Sequence, residues 1–350
     1  MPDDGRLIDP AGNARVGIFP EPIREVNFRD FRLRTPFGRP RGPLARHFGF
    51  NQFQFLGILS EELVLGCAIA DVKLLGTSFV YCYEPPTRRL AEVSFKIPFG
   101  IGTRFNQTPE TGAVSFRQGR NRIEMIGSDK PRRRRLLVDL ARGVSIDAVF
   151  HEAYPEEHPE KPQPMEPMFI CTEVGATGWV YARKTAGVPV SGSVRWEGRT
   201  WDLAAIGALG HHDWSAGYMR RETFWNWGCL AGRAADGRVL GMNVSCGVNE
   251  TSFTENCFWV DGRLHKIDSV RFEHDRGDLD KPWRLSSFDG RLRLEFRPEG
   301  RHAERVNAGF LATNFTQLFG RYHGRLETAT GERIGVDGVL GYAERHYAKW

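Results

Sequence analysis

From His47 to the end of the chain, hydrophobic residues recur at alternate positions in short runs, and the runs break at Gly, Pro, Asn or Asp. A period of two predicts strands, and turn residues at close intervals predict an antiparallel meander. HFGFNQFQFLGIL sets Phe48, Phe50, Gln52 and Gln54 against Gly49, Asn51, Phe53 and Phe55, so amides share both faces with phenylalanine. LVLGCAIAD reads as a buried strand, and LLGTSFVYCYEPPTRRLAEVSFKIP as two strands around Pro85-Pro86. Hairpins are expected around Gly119 to Asn121, at Arg142-Gly143, at Asp261-Gly262 and at Asp289-Gly290. No long amphipathic helix is evident. The predicted class is all-β, and two runs of short antiparallel strands imply barrels or sandwiches, of which barrels leave room for a ligand.

YPEEHPEKPQPMEP, from Tyr154 to Pro167, interrupts the alternation with prolines and charges that exclude both helix and central strand. The expected organisation is an extended, Pro/Gly/Arg-rich lead-in over 1–46, a first β-barrel domain over 47–160 and a second over 161–350. With 350 residues, 41% of them hydrophobic, the chain suffices for two cores, and 39 glycines with 20 prolines fit a turn-rich β protein.

The stretch Gly210 to Asn256 departs from ordinary strands because aromatic, ionisable and amide residues crowd it. RETFWNWGCL places Phe224, Asn226 and Gly228 on one face and Trp225, Trp227 and Cys229 on the other. A buried amide without partners costs about 1–3 kcal/mol, so Asn226 between two tryptophans suits a cavity wall. Upstream, His211, His212 and Asp213 follow GALG, read here as a turn, with Trp214 and Tyr218 beside them. Taken alone, histidines at a turn are more often solvated or capping groups, and paired tryptophans are more often core. Together they form a candidate site in which Asp213, oriented by His212, is a proton donor with Tyr218 as the third catalytic candidate. Burial among aromatic rings raises a carboxyl pKa and favours that role. His211, Trp214, Trp225, Asn226, Trp227, Asn243, Glu255, Asn256 and His346 are the candidate ligand-binding residues, and Glu344 lies on the same strand face as His346.

Lys and Arg outnumber Asp and Glu by 48 to 43, a net charge of +5, and much of the excess sits in KPRRRR at 130–135. The simplest reading is a solvated turn before a hairpin, with transient contact between Arg132 to Arg135 and an anionic membrane surface as the alternative. No nucleic-acid partner is expected. MPDDGRLIDP lacks a signal pattern and no apolar run approaches a bilayer span, so a soluble, cytoplasmic protein is expected. Six cysteines at 67, 82, 171, 229, 246 and 257 have no short paired spacing and read as buried thiols. No phosphate loop, dinucleotide fingerprint or nucleophile elbow occurs, and no third metal ligand accompanies His211 and Asp213, so neither cofactor nor metal is expected.

The order HHDW, Gly217-Tyr218, FWNW, TEN, FWVDGRLHK and GYAERHYAKW resembles the bacterial family called domain of unknown function 2804 over nearly the whole chain. That family is similar, more distantly, to two-barrel lipocalin-like (calycin) proteins that include carotenoid hydratases and fungal kievitone hydratase. His212-Asp213-Trp214 and Trp225-Asn226-Trp227 match the H-x-W and W-x-W positions of the hydratase branch, while the segments beyond them depart from it. The resemblance implies two consecutive lipocalin-like antiparallel β-barrels with a pocket in or between them. The expected function is binding of an isoprenoid or lipid-like molecule with cofactor-independent acid–base chemistry on it: hydratase, dehydratase, cyclase or isomerase. The alternative is a non-catalytic carrier or sensor for a hydrophobic ligand, which needs no ionisable groups at the ligand's reactive carbon.

Overall fold

The computed structural model describes residues 5–154, 163–248 and 251–350. Most of the proline-rich segment lies outside them, as does Glu250. Among the described residues the regular structure is almost wholly strand, with one short helix at Pro43–Phe48 and a single 3-10 turn at Phe28–Asp30. Every strand pairing is antiparallel, in one sheet of fourteen strands and one of nine.

The first sheet joins two meanders. Strands from Asn51–Leu59 to Arg89–Pro98 form one, strands from Gly112–Gln118 to Val144–His151 form the other, and Gly178–Trp196 and Leu209–Gly217 lie between them. His211 is paired with Gly57 on one side and with Ala186 on the other. The sheet curls, so that Phe95 near one edge meets Phe116 near the other at 5.1 Å. The second sheet runs from Glu222–Arg233 to Arg333–Lys349 and encloses its own core around Met242, Phe258, Trp283, Phe296 and Tyr322. These are the two curled sheets of a two-barrel lipocalin-like fold.

The chain passes from the first sheet to the second at Tyr218–Arg221, not within 155–167. The proline-rich segment does interrupt the strands, but Met168–Val174, Gly178–Trp196 and Leu209–Gly217 return to the first sheet after it. Residues 5–33 cover one face of that sheet: Leu7, Ile8, Ile23 and Val26 are buried against Trp179, Tyr181 and Trp214.

The two sheets meet backbone to backbone. Gly187 has φ +86 and forms the bulge between Ala186 and Val188, while a Cβ on Gly241 would lie 2.0 Å from the Ala186 carbonyl oxygen. Only glycine gives both the left-handed turn and the close approach.

Local signals were realised unevenly. Asp261 and Gly262 both have positive φ, as a two-residue type I′ hairpin requires. At Asp289-Gly290 only the glycine does, and the longer turn is built instead on the Asp289 carboxylate, which accepts from Ser287 Oγ and the Arg291 amide. KPRRRR is not a solvated turn: Arg132–Leu140 is a strand, and Arg134 is buried against Glu110 and Glu152. Period two explains the split, since Arg133 and Arg135 point to solvent while Arg134 points inward. Arg134 is therefore unavailable to a membrane surface. Of the six cysteines five are buried, as expected, but Cys246 is exposed.

Candidate functional site

His211, His212 and Asp213 lie in the strand Leu209–Gly217 rather than in a turn, and alternation sends them to opposite faces. His212 and Trp214 point into the first sheet's interior. Arg183 Nη1 donates to His212 Nδ1 at 3.0 Å, the Gln54 amide lies 3.1 Å from Nε2, and Trp214 packs against Tyr181. Tyr218 joins the same side, with Phe31, Phe50 and Trp179 around its ring. His212 thus does not orient Asp213, as was expected, and Tyr218, the third catalytic candidate, lies on the His212 side of the strand. Neighbours along a strand do not face each other.

His211, Asp213 and Ser215 point the other way, toward the second sheet. Asp213 and Ser215 share with Trp225 and Trp227 a cavity of ≈ 320 Å³ lined by residues of both sheets. The wall is mainly apolar, with Phe53, Phe55, Phe79, Phe315, Val180 and Leu311 among its members. Asn226 points away from it, into the second sheet, where its Oδ1 lies 3.3 Å from His274 Nε2. The cavity therefore lies between the two sheets.

Two polar clusters interrupt the apolar wall. In the first, Lys184 Nζ lies 2.6 Å from Asp213 Oδ2 and 3.1 Å from Glu255 Oε2, and Ser215 Oγ donates to Asp213 Oδ1 at 3.2 Å. Asn243 donates to Glu255 Oε1 at 3.3 Å and accepts from Trp227 Nε1 at 2.9 Å. Asn256 fixes the loop that carries Glu255, accepting from the Ser245 amide and donating to the Asp268 carbonyl. In the second, the Glu344 carboxylate accepts from Trp225 Nε1 at 2.8 Å and Gln317 Nε2 at 3.2 Å, while Tyr81 Oη donates to Gln317 at 2.5 Å. His346 stands beside them, its Nε2 2.8 Å from Thr313 Oγ1 and its ring 4.2 Å from that of Trp225.

Burial would lower the Lys184 pKa, but the two carboxylates outweigh it and raise the ammonium above its ordinary range. One lysine neutralises only one of two carboxylates. Burial, opposed by Lys184 and reinforced by Glu255, accordingly raises the Asp213 pKa, so this carboxyl holds a proton more readily than an exposed one.

His211 is different again. Its ring sits among Phe55, Tyr342 and Trp227 in space left by Gly57, where a Cβ would come within 1.9 Å of Nε2. Burial and then the Lys184 charge push its pKa down to about 3, and burial and then the Arg183 charge push His212 well below the ordinary 6.5. Both imidazoles are neutral in the folded protein. Since the unfolded chain takes up these protons and the folded one does not, their contribution to stability is present above about pH 6.5 and is lost as pH falls below it. Urea unfolding midpoints should fall between about pH 7.5 and about pH 5.5, and a flat profile would mean that the histidines are charged in the fold.

Sequence reasoning passed over Lys184. Its signal was Arg183-Lys184 inside the apolar run WVYARKTAGVPV, because a cation in a buried strand demands a carboxylate. Ser215, Gln317 and His302, which also line the cavity, carried no local mark.

Two curled antiparallel sheets with an apolar, polar-cornered cavity between them place the protein in the two-barrel lipocalin-like class. Within that class, the chain belongs to the family described as Domain of unknown function (DUF2804), whose model matches residues 1–350. No curated protein matches it in sequence. Among solved structures it is similar to CghA with Sch210972, at 10% identity and TM-score 0.53, covering 86% of this chain and 88% of that one. It is similar also to kievitone hydratase from Nectria haematococca, at 10% identity and TM-score 0.52, covering 85% and 88%. At these identities the likeness is one of fold. No helix of the described residues is long and apolar enough to cross a membrane.

Proposed function

We propose that the protein binds a hydrophobic small molecule between its two sheets and performs cofactor-independent acid–base chemistry on it, of the hydration, dehydration or isomerisation class. The observation that carries this reading is the Lys184–Asp213–Glu255 cluster at the wall of an otherwise apolar cavity. A carrier needs apolar area and a few polar contacts, but not a carboxyl whose pKa is raised beside the ligand. The names of the similar structures agree with it, one being a hydratase and the other crystallised with Sch210972.

For hydration of an alkene, Asp213 supplies the proton. The π pair forms the new C–H bond, leaving a cation on the neighbouring carbon that the faces of Trp225 and Trp227 stabilise. Water adds to that carbon and returns a proton to the Asp213 carboxylate. Lys184 and Ser215 hold the carboxyl in place, the role that His212 is too far round the strand to play.

Native mass spectrometry of the purified protein, followed by extraction of what it retains, tests the binding step. A retained apolar molecule that Trp225→Ala and Trp227→Ala lose supports the reading. Retention unchanged by both substitutions would place the ligand elsewhere and sink it.

A further inference from the structure

We infer that the molecule taken by this cavity is an organic cation, a substituted ammonium or its like on a hydrophobic body, and that fatty-acid-type anions are excluded. The inference rests on the cavity being the ligand site, and it adds the sign of the ligand's charge.

The cavity lining carries four carboxyl groups, Asp213, Glu255, Glu304 and Glu344, and three lysines, Lys96, Lys184 and Lys349. Lys184 is engaged by the first two at 2.6 and 3.1 Å, which leaves Glu344 without it. The bonds Glu344 accepts come from Trp225 and Gln317, both neutral donors. Among the described residues no lysine or arginine forms an ion pair with it, and the group that approaches it is the His346 imidazole, with Nδ1 at 3.6 Å. Of the other ionisable lining groups, His302 packs on Phe79 and Phe315 with its Nδ1 2.5 Å from Glu92 Oε2. Lys96 pairs with Glu304, and Lys349 is five residues further along the strand from Glu344, about 17 Å in extended chain.

The corner also has the walls a cation prefers. Trp225 gives its N–H to Glu344 and its ring to the cavity, and Phe79 and Phe315 stand nearby with ring centroids 6.4 Å apart. Aromatic faces attract ammonium groups electrostatically, and desolvation strengthens the effect. An uncompensated carboxylate in the same partly dry space adds a direct attraction, whereas a ligand carboxylate would meet like charge there.

Three probes with one chain separate charge from apolar burial: octyltrimethylammonium, octanol and octanoate, titrated calorimetrically into the full chain at about pH 8, above the ordinary imidazole range. The expected order is octyltrimethylammonium tightest and octanoate at least about tenfold weaker. Glu344→Gln should narrow that gap by about tenfold while leaving octanol binding unchanged. Octanoate binding as tightly as the ammonium would overturn the inference and leave the cavity reading intact. Failure of all three to bind would overturn both. If Glu344→Gln does not fold, the ranking in the native protein decides alone.

Discussion

Glu152→Gln is expected to lower the stability of the fold by about 3–5 kcal/mol, the range for removing one partner from a buried ion pair. Glu152 is fully buried in the first sheet with Arg183 Nη1 donating to it at 2.9 Å and Arg134 Nε at 3.4 Å, while Arg132 approaches at 3.4 Å. Burial alone would push its carboxyl pKa up from the ordinary 4.5, but the charges of Arg183, Arg134 and Arg132 hold it down at about 2. Glutamine keeps the shape and leaves these guanidinium groups with Glu110 as their remaining carboxylate. One position along the strand from Arg134, Arg135 pairs with Asp147 at 2.6 Å in the open, and Arg135→Ser should cost no more than about 1 kcal/mol. Chemical denaturation of the two variants measures the contrast, and equal losses would show that the buried network is not what stabilises this region. The pH dependence has a fixed sign. A depressed carboxyl pKa contributes stability that is present above about 4.5 and is lost as pH falls toward 2, and Glu152→Gln should remove that acid-range component.

The same residues show which parts of the molecule could be read from sequence. Alternation identified the strands and placed Trp225 and Trp227 together, because strand periodicity is local and survives any tertiary arrangement. Pairing between distant strands leaves no such trace. Nothing in Gly178–Trp196 or Leu209–Gly217 announces that these strands lie in the sheet begun at Asn51, so the proline-rich segment looked like a domain boundary while the sheet changed only after Tyr218.

The candidate site was legible in its neighbourhood and not in its wiring. Asp213, Trp225, Trp227, Glu255 and His346 all line the cavity, and Asn243 holds two of its members. The pairing of Asp213 with His212 failed on a rule available from sequence, since adjacent residues of a strand face apart, once GALG is seen to lead straight into a strand. Lys184 stayed hidden for a subtler reason. A lysine among apolar residues is ordinarily read as snorkelling to solvent, and only the carboxylates brought from Asp213 and Glu255 show that it stays inside. Arg134 was hidden in the same way by its exposed neighbours in the arginine run.

With the molecule retained by the protein as substrate, Asp213→Asn is expected to reduce turnover by about 10²–10⁴-fold while the affinity for that molecule changes little. Asparagine preserves the size of the side chain and its acceptor toward Lys184 but has no proton to donate. Lys184 keeps Glu255 as its counter-charge, so the substitution leaves the cation paired and the cavity wall in place. In the native protein the acid form is the active one, and turnover should decline as pH rises through the raised Asp213 pKa. That limb should be absent from the residual activity of the variant. A catalytic loss matched by an equal loss of affinity would mean that Asp213 only shapes the cavity through Lys184. Should the native protein hold the molecule unchanged in mass over hours between about pH 5 and about pH 8, the carrier reading replaces the enzymatic one. Trp225→Ala and Trp227→Ala must then weaken binding far more than Asp213→Asn, because a carrier depends on the aromatic faces that bury its ligand rather than on a proton.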